Sequence, residues 1–166
     1  GDDYASSAGS AEATGAGDRF LPAGLDFVGR PQLAAGLSGA GGGRSILLNG
    51  HIDAVDVEPR DKWTTDPFAL AERDGYLYGR GSNDMKGGIA AMTVAAEVLA
   101  SLGVLEGDLV VATNTDEESS GAGGVALVDR GLRADAAIVT EPTGLDVWTS
   151  CRGSSYATVT IEGRAG

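Results

Sequence analysis

The stretch "SILLNGHIDAV", residues 45–55, decides how the rest of the chain is read. Its first part, "SILLN", is a short apolar run of the kind that forms a buried strand. The run stops at Gly50 and is followed at once by His51, the only histidine in the sequence, with Asp53 two positions on. In an open α/β sheet the carboxyl ends of the strands open into a crevice, and sites are built there. A lone imidazole at a strand exit, with a carboxylate one alternation away, is therefore a candidate functional pair as well as an ordinary hydrogen-bonded structural histidine.

Working outward, "ALAERDGYLYG" (69–79) reads as a hairpin around Asp74–Gly75 with Tyr76 and Tyr78 on one face. "MKGGIAAMTVAAEVLASLG" (85–103) predicts the strongest helix, because Ile89, Met92, Ala96 and Leu99 recur at helical spacing and Gly103 is the expected stop. "DLVVATNT" (108–115) predicts a second buried strand, and "SGAGGVALVDRG" (120–131) a weaker helix ending at Gly131. "DAAIVTE" (135–141), "LDVWTSC" (145–151) and "SYATVTIEG" (155–163) are expected as further strands, the last with one face exposed. Residues 1–18 read as an irregular or disordered lead-in. Residues 19–44, broken by Pro22, Pro31 and Gly41–Gly43, predict a short extended piece near Phe27–Val28 and then a turn. Alternating strands and helices imply an α/β fold, a mixed and largely parallel sheet flanked by helices.

The 166 residues suffice for one core, and no run matches the roughly 18 apolar residues of a spanning helix. A net charge of −12 argues against a nucleic acid or an anionic membrane as partner and favours cations. A single cysteine, Cys151, excludes an internal disulfide, and no signal peptide opens the chain, so a cytoplasmic location is expected.

The acidic residues of interest also fall at element ends. Asp84 stands just before the long helix, Glu117 and Glu118 follow the 108–115 strand, and Glu141 closes the 135–141 strand. Separately, Asp84 is an ordinary N-cap, Glu117–Glu118 a solvated loop and Glu141–Pro142 a turn. Together they would crowd like charges at one edge, which requires raised carboxyl pKa values or a bound cation. Imidazole with carboxylates suits Zn²⁺, with Mn²⁺ or Co²⁺ as substitutes.

The segments "NGHIDAV", "WTTDPFALAERDGYLYGRGSNDMKGGIAAM", "TNTDEESSG" and "VTEPT" resemble the zinc-dependent amidohydrolase and exopeptidase family of acetylornithine deacetylase, succinyl-diaminopimelate desuccinylase, aminoacylase and glutamate carboxypeptidase. The likeness runs from about residue 27 to the end of the chain. It implies a pair of zinc ions, with His51 and Glu141 on the first, Glu118 on the second and Asp84 bridging them. It further implies Glu117 as general base, Asp53 as the residue that fixes the His51 ring, and a cis peptide between Asp84 and Met85. Gly79, Gly81, Gly87 and Gly88 would give the backbone room around that turn. The implied reaction is hydrolysis of an amide bond in an N-acyl amino acid or small peptide.

Family members are more than twice this length, with a lid domain inserted in the catalytic domain and a homodimer formed through it. The resemblance therefore divides the chain into a lead-in (1–18), a partial catalytic domain (19–150) and the first strand of a lid (151–166). The family's second metal-binding histidine and its lid histidine have no counterpart here, since His51 is the only histidine. One zinc site, from His51, Asp84 and Glu141, and weak catalysis are expected. A metal-binding or interaction module without catalysis is the alternative. A serine hydrolase fits poorly, because the sequence has no G-x-S-x-G. Trp63, Phe68, Tyr76, Tyr78 and Met92 read as packing residues, and Arg152 as either a surface residue or a partner for a substrate carboxylate.

Overall fold

In the computed structural model, residues 26–27, 30–153 and 157–164 are described. The lead-in expected over 1–18 lies outside them. Two short strands, β1 (Asp26–Phe27) and β2 (Arg30–Pro31), pair antiparallel. The main sheet contains β3 (Leu33–Leu37), β4 (Ile46–His51), β7 (Leu109–Asn114) and β8 (Ala136–Val139) in the order β3-β7-β4-β8. β4 runs parallel to both β7 and β8, and β3 joins the far side of β7 antiparallel. The expected mixed, largely parallel sheet is what forms. Between β4 and the long helix α1 (Gly87–Leu102) lies the hairpin β5 (Ala71–Arg73) and β6 (Tyr76–Tyr78), turning at Asp74–Gly75 as the sequence suggested. Helix α2 (Ala122–Asp129) connects β7 to β8.

Strand periodicity divides the core in two. Leu109 and Val111 face α1 with Leu48, meeting Ile89, Met92, Ala96 and Leu99. Val110 and Ala112 point the other way, toward Leu127 and Leu132, with Leu47 beside them. With helices on opposite faces, both sides of β7 are apolar, which is why 108–115 shows no alternation. The connections through α1 and α2 carry the chain from β4 to β7 and then back past β4 to β8. β4 is thus the point where strand order reverses, and its carboxyl end is the place such sheets reserve for a site.

Several expectations fail. Leu33–Leu37 is a strand although "LAAGL" lacks both alternation and β-branched residues; pairing along the whole of β7 supplies what its own propensity does not. Leu145–Cys151 is not a strand, and neither are the described residues 157–163. Their apolar residues, Leu145, Val147, Trp148, Val159 and Ile161, are 70–101% exposed, so among the described residues no neighbouring strand pairs with them. Met92 is core, whereas Phe68, Tyr76 and Tyr78 stay exposed on the hairpin side. Finally, Ser82–Leu102 is long and apolar enough, by length and composition alone, to cross a membrane, contrary to the sequence reading. Its Met92 and Ala96 are packed on the sheet, while Val94, Val98 and Leu102 are exposed.

Candidate metal centre

His51 is the last residue of β4, and its ring is almost fully buried, with 1% of the side chain exposed. Nε2 lies 3.0 Å from Oδ1 of Asp84, 3.8 Å from Oε1 of Glu141 and 3.9 Å from Oε2 of Glu117. Ligand atoms of His51, Asp84 and Glu118 lie within 4.8 Å of one another. The sequence-selected residues therefore gather at one rim, with the imidazole below and the carboxylates partly open to solvent.

Each is placed by a different element. Asp84 belongs to the irregular turn Ser82–Lys86, and the peptide after it is cis. It is not an N-cap: α1 starts at Gly87 and has no side-chain cap, while the Asp84 carboxylate faces His51. The turn is packed closely. A Cβ on Gly88 would come 2.1 Å from the Thr140 carbonyl, so α1 can approach the end of β8 only through a glycine. By contrast Gly79 has only ordinary contacts. Glu117 and Glu118 follow β7, and Glu141 follows Thr140, whose N–H donates to the Asn49 carbonyl beyond the last β4–β8 pair.

The ring of His51 is fixed somewhat differently from expectation. Nδ1 is 3.1 Å from the backbone carbonyl of Asp53 and 3.4 Å from its Oδ1, so the main chain of Asp53 is the nearer partner. The Asp53 carboxylate instead accepts the backbone N–H groups of Glu117 at 3.3 Å and Glu118 at 3.1 Å. It ties the exit of β4 to the exit of β7.

Three further residues at the site were not selected from the sequence as site residues. Gln32 donates to Oγ1 of Thr115 (2.7 Å) and accepts its N–H (3.0 Å), holding the chain just ahead of Asp116–Glu118. Asn49 bridges to Asn114 and the Ala112 carbonyl, each at 3.1 Å. Met85, next to Asp84, is fully buried, and its sulfur accepts the backbone N–H of His51 at 3.1 Å. For Met85 a pointer existed, its place in "NDMKGG"; for Gln32 and Asn49 only the tertiary pairing reveals the role.

Electrostatics follow from the crowding. Burial pulls the His51 pKa down, but the Asp84 hydrogen bond and the charges of Glu141, Glu117 and Asp53 outweigh it and hold the imidazole above its ordinary value. Burial also pushes the Glu141 carboxyl up; His51 opposes that, while Asp84 and Glu117 add to it. The Glu141 carboxyl resists ionisation, and a divalent cation among these carboxylates and the buried nitrogen donor would relieve the crowding; imidazole with carboxylate oxygens is the donor chemistry of Zn²⁺.

Comparison with known proteins agrees with this geometry. The profile of Peptidase family M20/M25/M40 matches residues 47–162. The chain is 43% identical over 135 residues to the succinyl-diaminopimelate desuccinylase of Bordetella petrii, covering 75% of this chain and 36% of that protein. It is 39% identical over 129 residues to a probable succinyl-diaminopimelate desuccinylase of Staphylococcus aureus, covering 75% and 32%. Among solved structures, human carnosine dipeptidase 1 aligns with a TM-score of 0.56 and 28% identity, over 66% of this chain and 25% of that one. An M20 family metallo-carboxypeptidase from Sulfolobus solfataricus aligns with a TM-score of 0.61 at 21% identity, over 74% and 29%, and shares the fold.

A mixed, largely parallel sheet ending in a buried imidazole ringed by carboxylates is the catalytic-domain architecture of a metallohydrolase class. The chain belongs to Peptidase family M20/M25/M40. It spans about a third of the length of the curated relatives it matches.

Proposed function

We propose that the chain carries the metal-binding part of a hydrolase that cleaves the amide bond of an N-acyl amino acid or small peptide. The observation that carries this reading is the 3.0 Å approach of Asp84 to a nearly buried His51 Nε2, with Glu117, Glu118 and Glu141 around it. His51, Asp84, Glu118 and Glu141 are the residues that would hold the metal, Zn²⁺ first and Co²⁺ or Mn²⁺ in its place. When bound, a divalent ion supplies a Lewis acid that lowers the pKa of water and stabilises negative charge on the carbonyl oxygen.

The chain's own residues do the rest. Glu117 is half-exposed at the mouth, within reach of a substrate, and acts as the base that takes a proton from the attacking water and returns it to the leaving nitrogen. Asp53 positions that base through its backbone N–H and holds the His51 ring through its own carbonyl. The names of the relatives favour an N-succinyl amino acid, and the single cysteine a cytoplasmic setting.

One nitrogen donor serves the rim, so one ion binds tightly per chain and a second only weakly. Calorimetric titration of the metal-free chain with Zn²⁺, followed by assay on N-succinyl and N-acetyl amino acids with and without Co²⁺, tests the proposal. One tight site with metal-dependent hydrolysis is expected. Absence of metal binding would reject the whole reading, and binding without hydrolysis would leave a metal-binding module.

A further inference from the structure

We infer that Met85 is a positioning residue that couples the end of β4 to the Asp84 turn and so sets the spacing between His51 and Asp84. The inference deepens the metal reading and rests on it. Along β4, the Asn49 carbonyl bonds toward the β8 side and the Ile52 N–H bonds back to Asn114 on the β7 side. By strand alternation the His51 N–H points toward β8. There the ladder has ended, with Asn49 opposite Val139 as its last pair. The donor is buried with its residue and needs an acceptor.

Met85 provides it. Its side chain is fully buried, its sulfur is 3.1 Å from the His51 nitrogen, and the residue before it is Asp84. The same thioether lies against Gly50, where a Cβ would come 2.9 Å from Cε and 3.4 Å from Sδ. One unbranched side chain thus fills the space under Gly50, satisfies the last N–H of the strand and fixes the main chain bearing Asp84. A thioether does all three, whereas leucine fills the space and accepts nothing. The sulfur is a weak acceptor, so its loss acts chiefly through the donor left unpaired.

The test compares Met85→Leu with Leu132→Met, a volume-conserving swap in the separate core cluster on the α2 face of the sheet. Two quantities are read: the His51 backbone amide (proton shift and hydrogen exchange) in the metal-free chain, and Co²⁺ affinity with the visible spectrum of the Co²⁺ form. Met85→Leu is expected to shift the His51 amide, speed its exchange at least several-fold, weaken Co²⁺ about three- to tenfold and alter the spectrum. Leu132→Met leaves the amide and the Co²⁺ readings unchanged. If Met85→Leu does not fold, norleucine in place of Met85 in the Met92→Leu background, read against Met92→Leu alone, removes only the sulfur and carries the same expectation. Unchanged Co²⁺ affinity and spectrum would overturn the inference while leaving the metal reading intact. If the wild-type chain binds no Co²⁺, both fall together.

Discussion

The carboxylate of Asp53 accepts the backbone N–H of Glu118 at 3.1 Å, with the neighbouring Glu117 N–H at 3.3 Å. Through these bonds a residue that follows β4 sets the position of two acidic residues that follow β7. Its backbone carbonyl meanwhile faces the His51 ring at 3.1 Å. One aspartate therefore relates the nitrogen donor to the glutamates on the other side of the crevice.

Replacing Asp53 with alanine should loosen that relation more than it harms the fold. Two N–H groups lose their acceptor, at a cost on the order of 1 kcal/mol because solvent partly reaches them. Hydrogen exchange at residues 117 and 118 should accelerate while the β7 amides stay protected. Metal affinity should fall with it, and Asp53→Asn, which keeps one acceptor oxygen, should lie between. Unaltered exchange at 117 and 118 in the alanine variant would remove the proposed role of the carboxylate.

The pH dependence of the metal-free chain follows from the two raised groups. A group that binds its proton more tightly when folded contributes stability that is complete below its unfolded pKa and lost as pH rises through the folded one. For Glu141 the loss starts near its ordinary value of 4.5, and for His51 near 6.5. Urea midpoints should therefore decline from mildly acidic to alkaline pH through these two groups. Added Zn²⁺ should reverse the trend, since it binds the deprotonated donors and stabilises by mass action. A His51→Ala, Glu141→Gln double variant should lose both the decline and the response to metal.

The site was more legible in the sequence than the sheet that carries it. His51, Asp84, Glu117, Glu118 and Glu141 each sit beside an apolar run or a glycine cluster, so element ends could be located and the charges noticed there. The long helix and buried strands were legible for the same reason: Met92 and Ala96 keep helical spacing, and Leu109–Asn114 is apolar on both faces. β3 was not, because "LAAGL" is a strand only by pairing with β7. Leu145–Cys151 and 155–163 misled in the opposite sense. Their composition suits a strand, but a strand needs a neighbour, and the described parts have none. Register-dependent contacts such as Gln32 with Thr115 are invisible to local pattern altogether.

Gly88 gives a sharp packing test. A Cβ there would meet the Thr140 carbonyl at 2.1 Å and its hydroxyl oxygen at 2.8 Å, both next to Glu141. Gly88→Ala should force α1 from the end of β8, destabilise by about 1–3 kcal/mol and weaken metal binding by moving Glu141. Gly124 in α2 has nothing within 4 Å of its would-be Cβ. Gly124→Ala should stabilise by about 0.5–1 kcal/mol without affecting metal. Chemical unfolding and Zn²⁺ titration of both variants separate the two outcomes; equal behaviour would mean that the helix–strand contact at Thr140 is not tight.

Glu117 and Glu118 are adjacent, yet the proposed roles differ. Glu117 lies with Oε2 3.9 Å from the His51 ring and 48% of its side chain exposed, as a proton carrier facing substrate should. A Glu118 oxygen falls within 4.8 Å of both the His51 nitrogen and an Asp84 oxygen, as a ligand should. Glu117→Gln should accordingly keep Co²⁺ affinity within about threefold while lowering any metal-dependent amide hydrolysis by about 10²–10⁴-fold, the usual worth of a general base. Glu118→Gln should weaken Co²⁺ by tenfold or more, since a neutral amide replaces a charged donor, with hydrolysis falling in proportion to the metal lost. The binding arm stands alone even where hydrolysis is slow. Equal loss of Co²⁺ affinity in the two variants would show that both glutamates hold the metal and that the base is another residue.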